Sequence, residues 1–129
     1  YPWSTTDTRC RAFKAQGHDV HSLNSIESTR LASRFMTRVQ TRFLIGPGLW
    51  KFNSEVTRRV EETSPDLIWI KQGYYLWPKT LKKIRQISET LIAHYTTDDF
   101  QSDMRRKLLR HYYNSIDLYD VHVTSNTLI

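Results

Sequence analysis

The chain holds 129 residues, 39% of them hydrophobic, with 4 glycines and 4 prolines, a balance that excludes collagen-like, low-complexity and disordered classes. A chain of this length buries on the order of two thirds of its unfolded surface, so it needs no metal or disulfide staple, and the single Cys10 can close no bridge within it. Lys and Arg outnumber Asp and Glu 19 to 13, and the resulting +6 permits attraction to phosphates, anionic lipid or nucleotide-bearing compounds without selecting among them.

In chain order, residues 4–16 have Ser and Thr available as N-caps, Asp7 in the first turn and Gly17 at the end, which predicts a helix. His18-Asp19-Val20-His21-Ser22-Leu23 follows as a short β-prone run around Val20 and predicts a strand. Leu31, Phe35, Val39 and Phe43 recur every four residues beside Ala32 and Met36, the stripe of an amphipathic helix that Gly46-Pro47-Gly48 is expected to stop. Leu49, Phe52, Val56 and Val60, spaced three and four apart, predict a helix over 49–63 that ends at Ser64-Pro65-Asp66.

Leu67-Ile68-Trp69-Ile70 is a continuous apolar run, the pattern of a parallel strand covered on both faces. Pro78 suits a first helical position, and Leu81, Ile84 and Ile87 give one apolar face to a helix ending near Ser88. Leu91-Ile92-Ala93-His94-Tyr95 predicts a second buried strand. Met104, Leu108, Leu109 and Tyr112 form a helical stripe over 102–115, opposite Arg105, Arg106, Lys107 and Arg110, and residues 120–124 predict a last strand. Strands alternating with helices of this length imply crossover connections, a parallel sheet and an open α/β fold, in which ligands sit beyond the carboxyl ends of the strands.

Four stretches resemble the amino-terminal domain of the spore-maturation (CgeB-like) glycosyltransferases, which are similar to family 4 glycosyltransferases of the two-domain GT-B type. They are Arg9-Cys10-Arg11-Ala12-Phe13-Lys14-Ala15-Gln16-Gly17-His18-Asp19-Val20, then Pro65-Asp66-Leu67-Ile68-Trp69-Ile70-Lys71-Gln72-Gly73 with Pro78-Lys79-Thr80-Leu81, then His94-Tyr95-Thr96-Thr97-Asp98-Asp99, and last Leu118-Tyr119-Asp120-Val121-His122-Val123-Thr124. The resemblance implies a Rossmann-like sheet with helices on both faces, lacking a first strand that would precede Tyr1 and lie between the Val20 and Leu67 strands. It also implies that residues 1–129 are the acceptor-side portion of a longer enzyme. A carboxy-terminal domain would hold the nucleotide-sugar donor, so the fragment alone is expected to be inactive. The opening Tyr1-Pro2-Trp3, with no initiator Met, agrees with a fragment.

On that resemblance Asp98 and Asp99, at the carboxyl end of a strand, are candidate catalytic bases. Adjacent carboxylates raise one another's pKa, and an inverting transfer needs a base for the acceptor hydroxyl's proton. Asp99, or Ser102, would equally cap the following helix. His94 is a candidate to hydrogen-bond the acceptor, or else a strand residue satisfied in place. Gly73 allows close backbone approach, and Tyr74, Tyr75 and Trp77 are expected either to stack on a sugar ring or to form an aromatic lid on the core. Trp3 and Ser4 would follow the missing strand and offer backbone N–H groups to an acceptor oxygen.

No Gly-x-Gly-x-x-Gly or P-loop motif occurs, and His18 and His21 have no Cys or His cluster around them, so neither a dinucleotide site nor a metal is expected. The alternative class is a small basic α/β binding module for nucleic acid or acidic partners, resting on Lys82-Lys83-Ile84-Arg85 and Arg105-Arg106-Lys107. Those charges lie opposite apolar stripes, as on a solvated helix face, which makes nucleic acid the less expected partner. The apolar runs are strand-sized, far short of the ~20 residues that span a bilayer, and no signal peptide is visible, so a cytoplasmic location is expected.

Overall fold

The computed structural model describes residues 5–71, 73–96 and 110–124. The elements in chain order are α1 (Thr5–Ala15), α2 (Ser25–Thr29), α3 (Arg34–Phe43), α4 (Pro47–Thr63), β1 (Leu67–Lys71), α5 (Pro78–Ile87), β2 (Leu91–Thr96), α6 (Arg110–Asn114), a 3-10 turn over Ile116–Leu118 and β3 (Val121–Thr124). The sheet of the described residues is parallel throughout, in the order β1-β2-β3. Its register sets Ile70 beside His94 and His94 beside His122. This is the open α/β architecture, Rossmann-like in character, that the alternation of elements predicts. No helix among the described residues is long and apolar enough to cross a membrane.

One face of the sheet carries the core. Ile92 is fully buried there among Leu81, Ile84, Phe52, Val60 and Leu76, with Ile68 and Ile70 packed against them. The α4 stripe behaves as its spacing requires: Leu49, Phe52 and Val60 are buried and Val56 packs on the cluster. The α5 stripe does so through Leu81 and Ile84, whereas Ile87, in its last turn, is exposed. The other face meets α1, where Phe13 sets its ring edge against Trp69 at 6.1 Å and the Arg9 guanidinium lies 4.0 Å from the centre of the Tyr95 ring.

Four expectations are corrected. Residues 18–23 form no strand: Val20 and Leu23 are the only aliphatic side chains in a polar run, the Asp19–His21 contact is local, and Arg59 on α4 ties the segment down by donating to the Ser22 carbonyl at 2.8 Å. Strand β1 is not covered on both faces. It is an edge strand whose exposure alternates, with Leu67 41% and Trp69 37% exposed while Ile68 and Ile70 turn inward.

The third correction concerns Gly46-Pro47-Gly48, which begins α4 rather than ending α3. Chain reversal comes earlier, at Leu44 in the left-handed conformation, and Pro47 then takes the first helical position. The fourth is that the aromatic stripe of α3 is not its buried side: Phe35 is 71% exposed and Phe43 55%, and the buried residue is Gln40. Its amide donates to the Thr29 carbonyl at 2.7 Å and accepts from the Gly48 and Leu49 N–H groups. A side chain at Gly48 would place its Cβ 2.2 Å from the Thr29 carbonyl oxygen, so the close approach of α2 to α4 demands glycine.

Candidate functional site

The carboxyl end of a parallel sheet is where loop residues converge, and here it is built from the chain's own aromatic residues. Beyond β1, Gly73 takes a left-handed φ of 75° and donates its N–H to the Lys71 carbonyl at 2.9 Å, turning the chain back over the sheet. A Cβ at that position would lie 3.4 Å from the Tyr119 hydroxyl and 3.6 Å from the His94 ring. Gly73 and His94, named separately from the sequence, are therefore brought together.

His94 itself is 1% exposed. Its ring stacks on Tyr112 of α6 with centroids 3.8 Å apart and meets the edge of Tyr119 at 5.4 Å. The Tyr112 hydroxyl and His122 Nδ1 are hydrogen-bonded at 2.6 Å, and His122 Nε2 donates to the Ile116 carbonyl at 3.2 Å. Burial pushes the phenols of Tyr112 and Tyr119 above their ordinary range, Tyr119 far above it, so both stay protonated. The Tyr119 hydroxyl accepts and donates no hydrogen bond of standard geometry among the described residues, and the Ser115 hydroxyl near it donates instead to the His111 and Tyr112 carbonyls. His94 is thus part of a buried aromatic floor, stacked on Tyr112 and edged by Tyr119.

Above this floor the 73–77 segment is held from α4. The Asn53 amide donates to the Leu49 and Tyr75 carbonyls, and its oxygen accepts from the Trp77 N–H and the Thr80 hydroxyl. Trp77 donates its indole N–H to the Leu44 carbonyl at 3.2 Å. Tyr74 and Tyr75 are half-buried and pack against the core, which is the lid arrangement, with Tyr75 keeping part of its surface open. Trp3, Ser4, Asp98 and Asp99, and the greater part of the segment 102–115 expected as a helix, lie outside the described residues.

Periodicity passed over the polar residues that build this end of the molecule. Asn53 stands on the same face of α4 as Leu49, Phe52 and Val60, and a lone amide in an apolar stripe is the signal that marks it. Tyr112, Tyr119 and His122 come together only through the fold, since no spacing links them. Asp120 caps the opposite end of β2: its carboxylate accepts from the Ile92 N–H at 2.8 Å and pairs with Arg85 at 2.7 Å, and it is Arg85 first, then that N–H, that holds its pKa below the usual carboxylate range. No protein-family model, no curated protein and no solved structure matches this chain, and the likeness to CgeB-like enzymes is carried by the four stretches of sequence alone.

Proposed function

We propose that the chain is the acceptor-side part of a glycosyltransferase, moving a sugar from a nucleotide-sugar donor to an acceptor hydroxyl, with the acceptor seated at the carboxyl end of the sheet. The observation that carries this reading is the convergence of Gly73, just beyond the end of β1, on His94 of the adjacent β2 and on Tyr119, beneath a tyrosine-bearing lid. In this reading the open surface of Tyr75 meets the sugar, and the tight turn at Gly73 lets backbone approach it. The aromatic floor keeps water from beneath. Asp98 or Asp99, following β2, removes the proton of the acceptor hydroxyl as the anomeric carbon is attacked. The donor's diphosphate is met by a second domain, as the resemblance implies.

The test is sugar transfer by the gene product, assayed with labelled nucleotide-sugars against a panel of hydroxyl acceptors. Asp98→Asn or Asp99→Asn is expected to lower turnover by roughly 10²–10⁴-fold, the usual worth of a general base, with donor binding retained. Turnover unchanged in both variants contradicts the assignment of the base, and absence of transfer from every donor contradicts the function.

A further inference from the structure

A second concave surface lies on the helical side of the molecule, away from the aromatic floor. The open groove between α4 and the start of α5 offers about 340 Å³, at the small end of ligand-sized sites. Its base is rigid and polar: Asn53, Thr57 and Thr80 are buried, and the Asn53 amide locks the two helices together through Trp77 and Thr80. Its rim carries Trp50, which is 64% exposed, and Trp77, with the Lys79 ammonium 4.8 Å from the centre of the Trp77 ring.

The charges along this groove are unequal in availability. Arg58 is committed to Glu55 and Glu62, which drive its pKa upward, while Lys79 and Lys83 make no ion pair among the described residues. Glu61 is the one carboxylate on the lining. An exposed tryptophan leaves a large apolar ring face in water, a cost that a stacking ligand relieves. Two ammonium groups on the same lining, without an ion pair among the described residues, suit an anion, and lysine binds phosphate as a point charge.

We propose that this groove binds a small phosphorylated compound bearing a planar ring, of the nucleoside phosphate class, with the ring on Trp50 and the phosphates between Lys79 and Lys83. The charge is local, two ammonium groups four residues apart on α5 with Glu61 on the same lining, which suits one free small molecule rather than the run of phosphates on a nucleic-acid strand. The groove shares Asn53, Trp77 and Thr80 with the anchor of the 73–77 segment, but the proposal does not depend on the reading given for the sheet end.

Calorimetric titration of the 129-residue chain with ADP tests the proposal, with adenosine, pyrophosphate and an eight-residue oligodeoxythymidine as parallel probes. ADP is expected to bind, with adenosine and pyrophosphate each roughly tenfold weaker because each keeps half of the contacts. Lys83→Ala and Trp50→Ala, both at exposed positions, are expected to weaken ADP about tenfold while circular-dichroism melts stay unchanged, and Lys14→Ala on α1, which removes the same charge elsewhere, is expected to have no effect. The proposal is overturned if ADP fails to bind at millimolar concentration, if Lys14→Ala weakens it as much as Lys83→Ala, or if the oligonucleotide binds tighter than ADP.

Discussion

Asp120 shows how one side chain can join three elements. It accepts from the backbone of β2, pairs with Arg85 of α5 and stands directly before β3, and Arg85 also donates to the Leu118 carbonyl. A carboxyl whose folded pKa is depressed contributes stability that is complete above its unfolded pKa, about 4, and is lost as pH falls through the lower folded value. Asp120→Asn is therefore expected to lower the melting temperature at neutral pH, and the gap between variant and parent is expected to close as pH drops below about 4. Thermal melts across an acid series check both parts. His111 adds an earlier acid loss, because burial lowers its pKa and the unfolded chain takes up a proton first, from about pH 6.5 downward. The sequence contains no sign of either effect, since both arise from contacts between residues far apart in the chain.

At the scale of elements, periodicity located most helices and strands but not always the side they bury. In α4 the apolar stripe is the buried side, because Leu49, Phe52 and Val60 face a sheet that offers Ile68 and Ile92 in return. In α3 the phenylalanines of an equally regular stripe stay in water, because the helix is anchored by the Gln40 amide to backbone groups of α2 and α4. Period alone cannot distinguish these cases, since it records which residues share a face and not what that face meets. Ile84→Ala, at a site with no exposure, is expected to cost about 2–5 kcal/mol, whereas Phe35→Ala is expected to stay within about 0.5 kcal/mol. Urea unfolding of the two variants measures the contrast. Residues 18–23 failed as a strand for a related reason: a β-prone run needs a partner edge, and the hydrogen bond this one receives comes from the Arg59 side chain.

The molecule as a whole follows from the order of its elements. Strand, helix, strand, helix, strand in sequence leads to parallel pairing with crossovers, and β1, β2 and β3 lie side by side in chain order. The site was legible only at its points of chemistry. Gly73 and His94 were visible as residues, but the floor that buries His94 is assembled from Tyr112 and Tyr119, which approach it through tertiary packing. The Trp50 and Trp77 rim of the second groove was hidden likewise, because Trp50 stands on α4 and Trp77 immediately before α5, with β1 between them in the chain. The sheet end therefore presents a shielded imidazole beneath the half-buried Tyr74 and Tyr75.

The central claim, that an acceptor sugar lies against this lid, is tested most directly by amide chemical shifts of the 15N-labelled chain during titration with a panel of methyl glycosides. The account predicts concentration-dependent shifts centred on Gly73, Tyr74 and Tyr75, lost in Tyr75→Ala, with α3 unmoved. Shifts absent from the 73–77 segment with every glycoside, or centred elsewhere on the fold, would contradict it.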